Sequence, residues 1–441
     1  MRLSATSLCL LAGQAVAAPP AARQDGAVEP VVQDGVFQLP LFTVALEEEL
    51  LEGGNGTAGT ARTKRQVLTG LDSVKYGGRR PVPALGVIIE IGTPPQKVII
   101  EPDTGSRRTW VPGATPDDGR TGVESVYYDK DASTSKQDLE RKFYASYGGG
   151  REKVQYTIFK DEVSIGGKDE AGTLLSFGVG DMTSPDTSLG RIVGVMGLQT
   201  IAPHLNPNTA YFPTILRNQN ITKTRAFGMA LREKGRGQLT FGGYDTSKFS
   251  GQLEKLPIIT NFDRDPMVPL QSVSFTASSC GSSEVVLDNQ TTSRDLNLVI
   301  DSGAPGLGLE DDLFEMLEAK LQAKPSSGLM KVACDLVDAG ASLDFRMTDS
   351  TRVTVPLGDM LWQKVDSDKN CLLAIHKSIM PADLWIGGHF LRRSFVLFDS
   401  DDNSMYIARG ADCGTTVVAI DGKMPTDAVK GKCSEEPAVA E

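Results

Sequence analysis

A chain of 441 residues with 40% hydrophobic content is long enough for two or three domains, each with a sizeable core. The net charge of −11 comes without a basic stripe, which argues against nucleic acid as a partner, and it disfavours anionic membrane surfaces. Three histidines and the absence of closely spaced cysteines leave no metal-ligand pattern, and nothing calls for a cofactor.

The chain opens with Arg2, an apolar stretch from Leu8 to Val16, and the small residues Ala15-Val16-Ala17. This order reads as a secretory signal over residues 1–17. The apolar stretch is well short of the ~20 residues that span a bilayer, so no membrane span is expected. A secreted, extracellular protein follows. Residues 18–65 are rich in Pro, Ala and Gly, carry the acidic run Glu47-Glu48-Glu49, and end in Lys64-Arg65. A dibasic pair at the edge of a Gly-rich segment suits a partner protease of dibasic specificity, which makes 18–65 a propeptide. Sequons at Asn55, Asn220 and Asn289 are candidate glycosylation sites in such a chain.

Beyond residue 80, short β-branched runs such as Gly86-Val87-Ile88-Ile89-Glu90-Ile91 alternate with Gly, Pro, Asn and Asp clusters, the texture of an all-β protein. Helical spacing is confined to short pieces, chiefly Asp311 to Leu321 with Phe314, Leu317 and Leu321 on one face. Without Cys9, which lies in the signal, five cysteines remain, so one is expected to lack a partner within the chain. Cys334–Cys371 is the favoured disulfide. It closes a 37-residue loop, which in the chain-entropy model stabilises by roughly 4 kcal/mol. Cys413–Cys433 is a weaker second pairing.

Two apolar strands end in an acid. Val98-Ile99-Ile100-Glu101-Pro102 runs into Asp103-Thr104-Gly105-Ser106, and Leu298-Val299-Ile300 runs into Asp301-Ser302-Gly303. Each is followed later by an apolar run ending in glycine, at Gly197 and at Gly387. A buried, unpaired carboxylate costs several kcal/mol, on the order of what a single domain can spare. Two such acids in a diverged repeat, related by a pseudo-two-fold axis, would meet face to face. Paired carboxylates at that distance do not both ionise easily and titrate as a unit. One can then activate a water while the other protonates a carbonyl, with no covalent intermediate and no need for the histidines.

These motifs, in this order, resemble the pepsin-like aspartic proteases, in particular the secreted fungal members. The likeness covers roughly residues 85–410. It includes Ile91-Gly92-Thr93-Pro94-Pro95-Gln96, the two acid motifs, Trp110-Val111-Pro112, a flap-like stretch from Phe143 to Gly150, Lys160-Asp161-Glu162-Val163, Phe241-Gly242-Gly243-Tyr244-Asp245, Cys334…Cys371, and Trp385-Ile386-Gly387-Gly388…Phe398-Asp399. The resemblance implies a bilobal all-β fold with a substrate cleft between two related lobes, 66–252 and 253–415, followed by a C-terminal extension, 416–441. It implies a monomeric aspartic endopeptidase acting on polypeptides, with Asp103 and Asp301 catalytic. Tyr147, Gly105, Gly303, Thr104, Ser302 and Ser106 then shape the substrate site. A competing reading is an inactive relative that binds peptide, glycan or protein in the same cleft.

Four departures carry expectations. Pro102 lacks an N–H, so pairing should change at that residue. Arg107 and Arg108 replace small polar residues and are expected to point to solvent. Ala304, unlike Ser106, cannot hydrogen-bond its acid, which favours the protonated form and a pH optimum nearer neutral. The segment 18–65 has four basic and seven acidic residues, so latency through a propeptide lysine on the acids is not expected.

Overall fold

The structure is a computed structural model of the chain and describes residues 31–33, 35–49, 63–69, 84–113, 128–147, 152–164, 173–182, 194–200, 211–232, 237–259, 266–304, 306–378, 384–425 and 427–434. Strands dominate it, as expected from the β-branched runs. The expected helix is present as Asp311–Lys320, with Leu313, Phe314 and Leu317 buried and Leu321 buried just beyond its end. Among the described residues no helix is long and apolar enough to cross a membrane.

The suspected repeat is visible in the sheet connections. Gln96–Asp103 pairs antiparallel with Ala84–Ile91 and parallel with Gly194–Gly197, which itself pairs antiparallel with Trp110–Pro112. In the second half Leu296–Ile300 pairs antiparallel with Val268–Leu270 and parallel with Leu384–Ile386. Leu384–Ile386 then pairs antiparallel with Leu307–Leu309. The strand leading to each acid therefore has the same two neighbours, with the same polarities. The fold is two related β-rich lobes.

One sheet of 15 strands joins them. Ala226–Ala230, from the first half, pairs with Ser394–Asp399 from the second, and Phe227 stacks on Phe398 with ring centroids 4.8 Å apart. Gly237–Phe241 extends that sheet and pairs in turn with Val36–Glu49. Val36, Phe37, Leu39 and Leu41 are buried there. The segment assigned to the propeptide thus contributes a core strand, and its apolar residues are packed against Gly237–Phe241. Its far end pairs with Thr63–Thr69, which places Glu48 opposite Lys64 and Glu47 opposite Arg65 in the ladder. The C-terminal extension is also attached: Val417–Ala419 pairs with Gly243–Asp245.

Both expected disulfides form, Cys334–Cys371 and Cys413–Cys433. Cys280 is disulfide-bonded as well, and no described cysteine is free. At Pro102 the two edges differ: the antiparallel pairing has ended at Val87↔Ile100, in line with the missing N–H, while the parallel ladder continues through Met196↔Pro102.

Two buried acids tie stability to pH. Asp399 accepts the N–H groups of Asp401 and Asp402, at 2.9 and 3.1 Å, yet burial pushes its carboxyl above the ordinary range. Burial does the same to Asp245. A folded-state value above the unfolded one stabilises fully below the unfolded pKa, near 4, and that contribution is lost as pH rises through the folded value. Asp399→Asn is therefore expected to match wild type in thermal unfolding at pH 3 and to exceed it at pH 7, by about 1 kcal/mol. Melting curves at the two pH values check this; equal gains at both would remove burial of the charge as the cause.

Candidate active site

Each acid sits where an apolar strand gives way to a glycine-containing turn. Asp103 Oδ1 accepts the N–H of Gly105 at 2.8 Å, and Asp301 Oδ1 accepts the N–H of Gly303 at the same distance. These are Asx-type turns, in which the acid organises its own loop. The backbone also turns back on itself, with Ser106 N–H donating to Asp103 O and Ala304 N–H to Asp301 O.

The two loops are interlocked. Thr104 N–H donates to Ser302 Oγ at 3.0 Å, and Ser302 N–H donates to Thr104 Oγ1 at 2.9 Å. The hydroxyls pass the bonds on, Thr104 to Ile300 O at 2.9 Å and Ser302 to Pro102 O at 2.6 Å. Four reciprocal bonds between buried groups fix one loop relative to the other more tightly than a single contact would. Each acid consequently lies against the other loop's glycine. A Cβ on Gly105 would stand 2.5 Å from Asp301 Cγ, and one on Gly303 would stand 2.7 Å from Asp103 Cγ. Residues far apart in sequence are thus brought into one site, as the pseudo-two-fold predicts.

Gly197 and Gly387 lie opposite the loops. A side chain at Gly197 would strike the backbone of Arg107 and Arg108, and one at Gly387 the backbone of Ala304. Asp103 O accepts from Leu198 N–H at 2.8 Å and Asp301 N–H donates to Ile386 O at 2.9 Å, so neighbouring strands brace both turns.

The halves differ at the third residue after the acid. Ser106 Oγ donates to Asp103 Oδ2 at 2.5 Å, whereas Ala304 has no hydroxyl to offer Asp301. Asp103 is 3% exposed and Asp301 more open. A carboxylate held by an extra donor is favoured in its ionised form. Ala304→Thr should extend that support to the second acid. The alkaline limb of the pH–rate profile is then expected to shift toward acid by about half a unit or more. Profiles of both proteins check this, and superimposable limbs would contradict it.

The flap-like hairpin is Gln137–Tyr147 paired with Glu152–Ser164; the three glycines after Tyr147 lie outside the described residues, as do the sequon at Asn55 and the signal. Trp110 Nε1 donates to Tyr147 Oη at 2.7 Å. Trp110, Val154, Tyr156 and Val195 form a small buried cluster to which Phe143, Ala145 and Tyr147 add. Asn220 and Asn289 are exposed.

Gln199 and Thr109, near the acids, belong to none of the motifs in the sequence. Gln199 is buried; its Nε2 donates to Gly105 O at 3.2 Å and its Oε1 accepts Arg107 Nε at 2.5 Å. Thr109 accepts the Gly197 N–H at 3.1 Å. Arg108 lies over the Phe143 ring, 4.3 Å from its centroid, rather than in open solvent. Arg107 is exposed, in line with expectation, though its Nε is held by Gln199; Arg108 is half-buried against Phe143, contrary to expectation. A polar residue just past the Gly197 crossing was the available signal for Gln199, but its two partners could not be read from spacing.

Two carboxylates on interlocked loops, each lying against the other loop's glycine, can hold a water and polarise a carbonyl. Comparison with known proteins agrees with that chemistry. The profile of the eukaryotic aspartyl protease family matches residues 86–410. An acid protease of Saccharomycopsis fibuligera is 31% identical over 339 residues, covering 73% of this chain and 79% of that protein. Candidapepsin-1 of Candida albicans is 27% identical over 336 residues, covering 73% and 80%. Secreted aspartic protease 8 of the same organism is 25% identical over 342 residues, covering 74% and 76%. On its fold, its paired acid loops and these matches, the chain belongs to the eukaryotic aspartyl protease family and is an aspartic-type endopeptidase.

Proposed function

We propose that Asp103 and Asp301 form the water-activating dyad of a secreted endopeptidase made as a zymogen and processed near Lys64-Arg65. The observation that carries this reading is the reciprocal Thr104–Ser302 hydrogen bonding, which sets the two acid loops against each other. One carboxylate takes a proton from the bound water as it attacks the scissile carbonyl; the protonated partner donates to the carbonyl oxygen. Collapse of the tetrahedral adduct returns a proton to the leaving amine and resets the pair. Tyr147, fixed by Trp110, closes over the bound peptide and limits water to the reacting molecule. Gly105, Gly303 and Ser106 shape the floor.

Secretion is supported by the leader-like N-terminus and by the disulfides Cys334–Cys371 and Cys413–Cys433, which suit an oxidising compartment. Asn220 and Asn289 are exposed enough for glycosylation, and the chain works as a monomer on polypeptide substrates. Processing is supported by the basic pair and by its place in the ladder opposite Glu47 and Glu48. A partner protease reaches the pair when Thr63–Thr69 separates from Val36–Glu49. A precursor carrying Lys64→Ala and Arg65→Ala is therefore expected to be secreted at its uncleaved size on a denaturing gel. Product of wild-type size would move the processing site elsewhere. Cleavage of a denatured protein at acid pH by the processed wild type tests the activity itself.

A further inference from the structure

Arg107 and Arg108 leave the first acid loop side by side but sit in different surroundings. Arg107 is exposed and held by Gln199 beside the catalytic loop. Arg108 is in a different situation. Its backbone is pressed against Gly197, where a Cβ would stand 2.5 Å from Arg108 N, so the main chain at Arg108 is pinned against the strand that braces Asp103. From that fixed base its guanidinium reaches the flap hairpin and lies 4.3 Å from the centre of the Phe143 ring.

The hairpin's pleat explains why this contact matters. Along Gln137–Tyr147 the residues Phe143, Ala145 and Tyr147 are half-buried while Tyr144 and Ser146 are exposed. Alternation puts Phe143 and Tyr147 on the same inner face, four residues apart. Phe143 pairs with Tyr156 across the hairpin, ring centroids 6.2 Å apart, and Arg108's charge partly offsets the upward push that burial gives the Tyr156 hydroxyl. Trp110, two residues after Arg108, holds Tyr147. One short segment leaving the catalytic loop therefore touches the flap twice along its inner face. A guanidinium over an aromatic ring is attracted by the ring's negative face, and more strongly where water is excluded.

We propose that Arg108 is a positioning residue for the flap: its cation–π contact with Phe143 sets the angle at which the hairpin, and with it Tyr147, lies over the substrate. The inference rests on the flap reading of Tyr147 given above. Arg108 touches neither the acids nor the reacting atoms; it acts through Phe143. Loss of the contact leaves the dyad intact and lets the hairpin lift. Peptide binding weakens while the chemistry of bound substrate is largely kept. A lysine keeps the charge but not the flat, delocalised face, so it restores the contact only in part.

The test uses the processed enzyme with Arg108→Ala, Arg108→Lys, Phe143→Leu and the double variant Arg108→Ala/Phe143→Leu. Arg108→Ala is expected to raise KM about tenfold, with kcat within about twofold and the limbs of the pH–rate profile unmoved. Arg108→Lys should fall between it and wild type. Phe143→Leu should resemble Arg108→Ala, and the double variant should be little worse than either alone. Amide hydrogen exchange, which needs no substrate, should be faster across Gln137–Tyr147 in Arg108→Ala and unchanged across Leu296–Ile300. Wild-type kinetics with fully additive single variants, or unchanged exchange in the hairpin, would overturn the proposal. Should Arg108→Ala fail to fold, Phe143→Leu and Arg108→Lys carry the same comparison. Wild-type cleavage in the same assay tests the endopeptidase dyad separately, so failure of one reading is not mistaken for failure of the other.

Discussion

Asp103→Asn is expected to reduce kcat for acid cleavage by about 10³-fold or more, with thermal stability close to wild type. The amide is the same shape as the carboxylate, and its oxygen still accepts the Gly105 N–H, at 2.8 Å in the wild type. The reciprocal bonds of Thr104 and Ser302 do not involve the acid side chain and remain. The loop is therefore retained and the base is lost. An amide takes no proton from water, so the remaining acid works without its partner. Asp301→Asn is expected to behave alike, because Gly303 holds its carboxylate in the same way. Peptide cleavage rates and melting curves for the two variants check this. The proposed trans-processing adds a second readout: an Asp103→Asn precursor should still be secreted at the processed size. Accumulation of the uncleaved form would mean the enzyme processes itself.

Gly105→Ala carries the second large effect and separates geometry from charge. Neither Gly105 nor Gly303 has positive φ, so alanine fits either backbone. The difficulty lies across the site. The new methyl would stand 2.5 Å from Asp301 Cγ, well inside van der Waals contact, and the carboxylate it meets is held by Gly303 N–H. One of the two must move. Asp301 is expected to swing out of register with Asp103, lowering kcat by about 100-fold at a stability cost of about 1–3 kcal/mol. Activity and unfolding measured on the same preparation check this. Full activity in a folded Gly105→Ala protein would show that the acids do not lie as close to the opposing loops as described.

How much of this was legible from sequence depends on whether the information is local. The acid loops were, because Asp-Thr-Gly and Asp-Ser-Gly each carry their own turn chemistry, and two copies in one chain imply a meeting point. Helix Asp311–Lys320 was, because Phe314 and Leu317 repeat at helical spacing. Long-range partners were not. Arg108 reads as a surface charge until Phe143 is found on the facing hairpin, and Gln199 reads as a loop residue until Gly105 and Arg107 are found on either side of it. The change of pairing at Pro102 was legible from its missing N–H, but which edge keeps its partner, the parallel one, was not. Val36–Leu41 illustrates composition misleading pattern. The Pro-, Ala- and Gly-rich surroundings suggest a loose tail, yet Val36, Phe37, Leu39 and Leu41 find a partner strand at Gly237–Phe241, about two hundred residues downstream.

The most direct test of the shared-water dyad is a crystal structure of the processed enzyme at acid pH with a peptide analogue whose scissile amide is replaced by a hydroxyl-bearing carbon. The account predicts that the hydroxyl sits within hydrogen-bond distance of both the Asp103 and Asp301 carboxylates, with Tyr147 closed over the analogue. A hydroxyl held by one acid alone, or an analogue bound away from the pair, would contradict it.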